Sequence, residues 1–106
     1  RLNLFERNQP DCTFMLALIH HLRITFGIPI KQIVELMQKI NSKFVIIEFI
    51  SFDDPQIRML TSRPKSYFSD YNEDSFKNEI LNNYNIVEKI VLIKNLRLIF
   101  ILEKTL

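Results

Sequence analysis

Apolar and polar residues along this chain fall into runs whose spacing predicts a mixed α/β fold. Residues 14–19, Phe-Met-Leu-Ala-Leu-Ile, are an unbroken apolar run, which fits a strand buried on both faces, and a first strand is assigned to 12–19. Gly27 and Pro29 punctuate the next stretch of chain. From there Ile30, Ile33, Val34, Met37 and Ile40 recur at helical spacing, with Lys31, Gln32, Glu35, Gln38 and Lys39 opposite. This predicts an amphipathic helix over 29–42 with proline in its first turn, where an N–H would have no partner anyway. Residues 44–49 are almost wholly apolar and rich in β-branched side chains, and they read as a second buried strand.

Asp54-Pro55 then supplies a cap and a first helical position for a short helix ending near residue 62, with Ile57, Leu60 and Met59 on its apolar side. Residues 65–71 have no clear period and read as loop. Asn72, Glu73 and Asp74 look like a cap followed by acidic residues that complement a helix dipole, so a helix is expected over 73–84, with Phe76, Ile80, Leu81 and Tyr84 sharing a face. The runs 86–93 and 96–102 flank Lys94-Asn95, a separation suited to a tight antiparallel hairpin with Asn at positive φ. Strand, helix, strand, short helix, helix, strand, strand is the order of half a doubly wound α/β sheet ending in a hairpin. A strand at 12–19 that ends the sheet leaves an apolar edge unpaired. The expected remedy is cover from another chain or from a second copy, making a homodimer through that edge.

Composition narrows the function classes. With 106 residues, 47% of them hydrophobic, the chain has material for one core and hardly for two domains. Fourteen basic against twelve acidic residues give a formal charge of +2, too little to mark a nucleic-acid binder. The single Cys12 forms no intramolecular disulfide and matches no zinc-ligand spacing, so the cytoplasm is the expected compartment. No apolar run approaches the roughly 20 residues that span a bilayer, so no membrane partner is expected. The first residue is Arg1, and 1–106 is read as a single partial domain of a longer product.

Several motifs bear on identity. Ala17-Leu18-Ile19-His20-His21-Leu22 is followed by Gly27-Ile28-Pro29, the strand at 44–50 carries Glu48-Phe49, a turn comes next at Asp53-Asp54-Pro55, and Phe68-Ser69-Asp70-Tyr71 comes later. Over about residues 4–103 this pattern resembles the second half of a class I S-adenosylmethionine-dependent methyltransferase, in the group that includes nodulation-related methyltransferases. The resemblance implies that the strands are the fourth to seventh of a seven-stranded Rossmann-like sheet, with the last inserted antiparallel between the fifth and sixth. It also implies S-adenosylmethionine as cofactor, an unknown methyl acceptor as substrate, and a cofactor-facing segment at Leu16, Ala17 and Leu18. Plain strand packing accounts for those three residues equally well. The family's glycine-rich cofactor turn is missing, because Gly27 is the only glycine, so the fragment alone is expected to be inactive.

The candidate catalytic residues are His20 and His21, just beyond the carboxyl end of the first strand, where doubly wound sheets place ligands. An imidazole there can take a proton from a nucleophile; in the bland alternative one ring bonds a loop carbonyl and the other is exposed. Glu48 interrupts an apolar strand and needs solvent or a hydrogen bond, which a substrate, a histidine or a partner group would supply. Phe68 and Tyr71 either line a substrate pocket or pack onto the sheet. No metal site is expected, because adjacent histidines lack ligand spacing on a helix and no second cluster exists. Cys12 has no neighbouring cation to stabilise a thiolate and reads as a structural thiol.

Overall fold

A computed structural model of the chain describes residues 11–105. It is an α/β unit with one four-stranded mixed sheet and flanking helices. In chain order the elements are β1 (Cys12–Met15), a π-helical turn (His21–Thr25), α1 (Ile30–Ile40), β2 (Phe44–Ile50), α2 (Pro55–Arg58), a 3-10 turn (Lys65–Phe68), α3 (Glu73–Ile80), β3 (Tyr84–Ile93) and β4 (Arg97–Lys104).

The strands lie in the order β1-β2-β4-β3. β1 runs parallel to β2, while β4 is antiparallel to both β2 and β3. The last strand is thus inserted antiparallel between its two predecessors in the sheet. Asn95 closes the β3–β4 hairpin at φ 64°, a left-handed conformation that asparagine tolerates through local hydrogen bonding.

Register divides the sheet into two faces. Val45, Ile47 and Phe49 of β2 stand opposite Leu102, Phe100 and Leu98 of β4, and all six are buried. Met15 of β1 joins this inner face beside Ile47. Ile33, Val34 and Met37 of α1 belong to the same core, and the Phe76 ring of α3 lies 5.5 Å from that of Phe49 and 5.8 Å from that of Phe100. The opposite face presents Phe14, Phe44, Ile46, Ile99 and Ile101, and Phe14 is 65% exposed.

Three predicted elements change on folding. The first strand ends at Met15 rather than at residue 19, because Ala17 takes φ 55° and turns the chain out of the sheet. The short helix stops at Arg58, so Met59 is 85% exposed and no part of an apolar face. α3 ends at Ile80, with Leu81 half-exposed, and Tyr84 opens β3 instead of closing the helix. An asparagine pair at 82–83 breaks the helix before the β-branched run can be drawn into it. The apparent loop at 65–71 contains the 3-10 turn that sets Phe68 and Tyr71 into the core.

Candidate active site at the carboxyl end of the sheet

β1 and β2 are parallel, so the segments that leave them emerge on one side, and most of the polar residues of the candidate site gather there. Residues 16–18 form the turn after β1. Glu48, near the end of β2, accepts a hydrogen bond from the Ala17 amide at 2.8 Å through Oε1. The half-buried glutamate thereby holds the backbone of a turn whose Ala17 sits at positive φ. Leu16 and Leu18 are exposed at 48% and 38%, so they do not fill the core as a buried strand would.

The chain re-enters the protein at Ile19 and His20, both buried. The ring of half-buried His21 lies 4.3 Å from that of His20, centroid to centroid. His20 Nδ1 is buried without a hydrogen-bond partner among the described residues. Burial is the main influence that lowers its pKa below the ordinary 6.5, helped by His21 and Arg97 and opposed by Glu48 and Asp54. Burial therefore favours the neutral form of the His20 ring.

Asp54 and Arg97 complete the cluster. Asp54 is buried and caps α2 by accepting from the Gln56 amide at 2.9 Å. Its carboxylate also takes two hydrogen bonds from Arg97, Nε to Oδ2 at 2.8 Å and Nη2 to Oδ1 at 3.2 Å. The Arg97 hydrogen bonds hold the Asp54 carboxyl below its usual 3.8, against the opposing effect of burial. Arg97 was invisible to periodicity, since it opens β4 as one cation among many. The cap signal at Asp54 was legible, but the pairing across 43 positions was not.

The remaining candidates lie elsewhere. Phe68 is buried, 5.8 Å from the Phe52 ring and beneath the Arg23 guanidinium at 5.0 Å. Tyr71 is buried against Phe49 at 5.0 Å and donates its hydroxyl hydrogen to the Ile50 carbonyl. Both belong to the hydrophobic core, although Tyr71 also borders a cavity beside β3. Between them Asp70 accepts from Arg23 Nε at 2.7 Å and from the Ile30 amide at 3.0 Å, pinning the start of α1. Cys12 is half-buried and unpaired. Among the described residues no cluster of three or more His, Cys, Asp or Glu side chains is placed to hold a metal ion, and no helix is long and apolar enough to cross a membrane.

Comparison with curated proteins finds a likeness to the nodulation protein NoeA of Rhizobium meliloti (strain 1021), 28% identical over 105 residues. The alignment takes in 99% of this chain and 22% of the relative's length. No family model matches the chain, and no solved structure does.

Proposed function

We propose that this chain is the carboxyl-terminal part of an S-adenosylmethionine-dependent methyltransferase related to the nodulation protein. The observation that carries this reading is the sheet itself: the last strand lies antiparallel between β2 and β3, and a histidine pair sits beyond the carboxyl end of β1. That is the arrangement implied for strands four to seven of a Rossmann-like methyltransferase sheet. The likeness to NoeA supports the same reading through sequence.

The residues present fit one wall of a cofactor site. Leu16, Ala17 and Leu18 form an exposed turn with a small central residue, so a ligand can approach the backbone closely, while Glu48 keeps the turn in place. Gly27 is no cradle, because a Cβ added there would meet nothing within 4 Å; its glycine answers to φ 73° before α1. The remaining contacts would come from sequence outside these 106 residues, and the chain alone would be inactive. When bound, S-adenosylmethionine supplies an electrophilic methyl group on a positively charged sulfur.

The acceptor's nucleophilic atom loses a proton as its lone pair forms the new bond. In this reading His20 or its neighbour His21 would receive that proton. Between the two, His21 has the more accessible ring, and His20 contributes an apolar wall and a weakly basic nitrogen. The bidentate Asp54–Arg97 pair fixes the loop after β2 against β4 and keeps the site's outline rigid. The test is a calorimetric titration of S-adenosylmethionine into this chain and into the longest product of its gene. Binding by the long form alone is expected, and absence of binding by both overturns the enzyme reading.

One observation favours a second reading, a non-catalytic interaction module. β1 pairs only with β2 among the described residues, and Phe14 on it is largely exposed. In that reading the β1 edge joins a second copy of the chain. Light scattering at high concentration separates the two, since a strict monomer removes the dimer.

A further inference from the structure

A cavity of about 340 Å³ opens on the inner face of the sheet beside β3, and it shares no lining residue with the His20–Arg97 cluster. One side of its wall is apolar. Phe49 and Leu98 stand on neighbouring strands, Phe52 follows β2, and Val91 is exposed on the edge strand with nothing covering it among the described residues. The Phe49 ring is stacked on that of Tyr71, which also borders the cavity.

The mouth is cationic. Lys65 from the 3-10 turn, Lys89 from β3 and Lys94 from the hairpin approach it from three elements, with Glu73 as the only carboxylate among the described lining residues. Glu73 is already committed to Lys89 at 2.7 Å. Lys65 has only a loose, exposed contact of 3.8 Å with Asp53, and Lys94 makes no ion pair among the described residues. Two ammonium groups are therefore left to a ligand. Ser51 adds a hydroxyl: its oxygen accepts from the Asp53 amide at 3.3 Å, leaving its proton free to donate.

We infer that this cavity binds an organic anion with a flat apolar body, one or two fused rings carrying a carboxylate. The rings would lie against Phe49, Phe52, Val91 and Leu98, and the carboxylate would meet Lys65 and Lys94. Its volume sits at the lower end of small-molecule pockets, which suits such a ligand and excludes a folded partner. An inorganic anion would leave the aromatic wall unused, and a neutral aromatic would leave the lysines unused.

The probes are 1-naphthoate and its uncharged counterpart naphthalene-1-methanol, titrated into the methyl-labelled chain and followed by NMR. Naphthoate is expected to move the Val91 and Leu98 methyl signals and to bind at least about tenfold more tightly than the alcohol. Replacing both surface lysines, Lys65→Gln with Lys94→Gln, is expected to remove that advantage and leave the alcohol's affinity unchanged. Motionless Val91 and Leu98 signals overturn the site, and equal affinity for acid and alcohol, or a variant that still prefers the acid, overturns the anion. Since neither probe contains the cofactor, the outcome is independent of whether the chain takes part in methyl transfer.

Discussion

The two faces of the sheet are built from similar residues and meet different fates. On the inner face Ile47, Phe49, Phe100 and Leu102 are between 0 and 3% exposed beneath α1 and α3. On the outer face Phe44, Ile46, Ile99 and Ile101 are half-buried, and Phe14 and Ile90 are exposed. A strand designed to face water on one side alternates apolar with polar residues, as antiparallel sheets commonly do, and β2 and β4 do not. The residues on the outer face are those of a sheet covered on both sides. The described residues cover one of these two apolar faces.

The sharpest contrast comes from removing one ring on the inner face. Phe100→Ala empties a fully buried site that contacts Phe76 and is expected to cost about 3–5 kcal/mol, read as a shift in the urea midpoint. Arg97→Leu should come next in size, because it strands the buried Asp54 carboxylate without its bidentate partner. The pH dependence distinguishes this from simple loss of packing. Since the folded pKa of Asp54 lies below 3.8, the pair's contribution is present above that value and lost as pH falls through the folded pKa. In Arg97→Leu the deficit in urea midpoint relative to the wild type should be full above 3.8 and narrow as pH falls, whereas a packing loss stays constant with pH; a deficit that does not narrow would show that the pair contributes nothing.

Smaller effects probe what holds the covering layer in place. Asn72 caps α3 by accepting from the Ser75 amide at 2.8 Å, so Asn72→Ala should cost about 1 kcal/mol through loosening of the helix that closes the inner face. His20 adds a pH signature from the carboxyl end of the sheet. Its folded pKa is lowered, so the unfolded chain binds the proton more readily, and stability is complete above 6.5 and declines as pH drops below it. His20→Leu should flatten that decline between pH 6.5 and 5, measured as urea midpoints at each pH. A wild-type midpoint that stays level over this range would contradict the burial of a neutral imidazole.

How legible all this was depended on the range of the interaction. Periodicity placed α1 and the hairpin, because Ile30, Ile33, Val34 and Met37 repeat locally and Asn95 answers to a local turn. It overextended β1, since Leu16, Ala17 and Leu18 are apolar and only a long-range bond from Glu48 shows that they turn away. It also carried α3 through Tyr84, whose place is fixed by pairing with Lys104 twenty residues on. Within the candidate site the adjacent histidines could be read by eye, whereas Asp54–Arg97 and Arg23–Asp70 join residues more than 40 apart, with no signature in either segment alone.

The outer face supplies the smallest effect and the most telling one. Phe14→Ser replaces a side chain that is 65% exposed, so within one isolated chain little buried area is lost and stability should change by no more than about 0.5 kcal/mol. If another layer covers that face, whether a second copy or the rest of a longer product, the same substitution places a hydroxyl inside an apolar contact. The cost then rises toward that of the inner face, roughly 2 kcal/mol or more. Measuring Phe14→Ser in the 106-residue chain and in the longest gene product therefore tells whether such a layer covers the face. Equal small effects in both would mean the apolar outer face is solvent-facing by design, and the equivalence of the two faces would be one of composition alone.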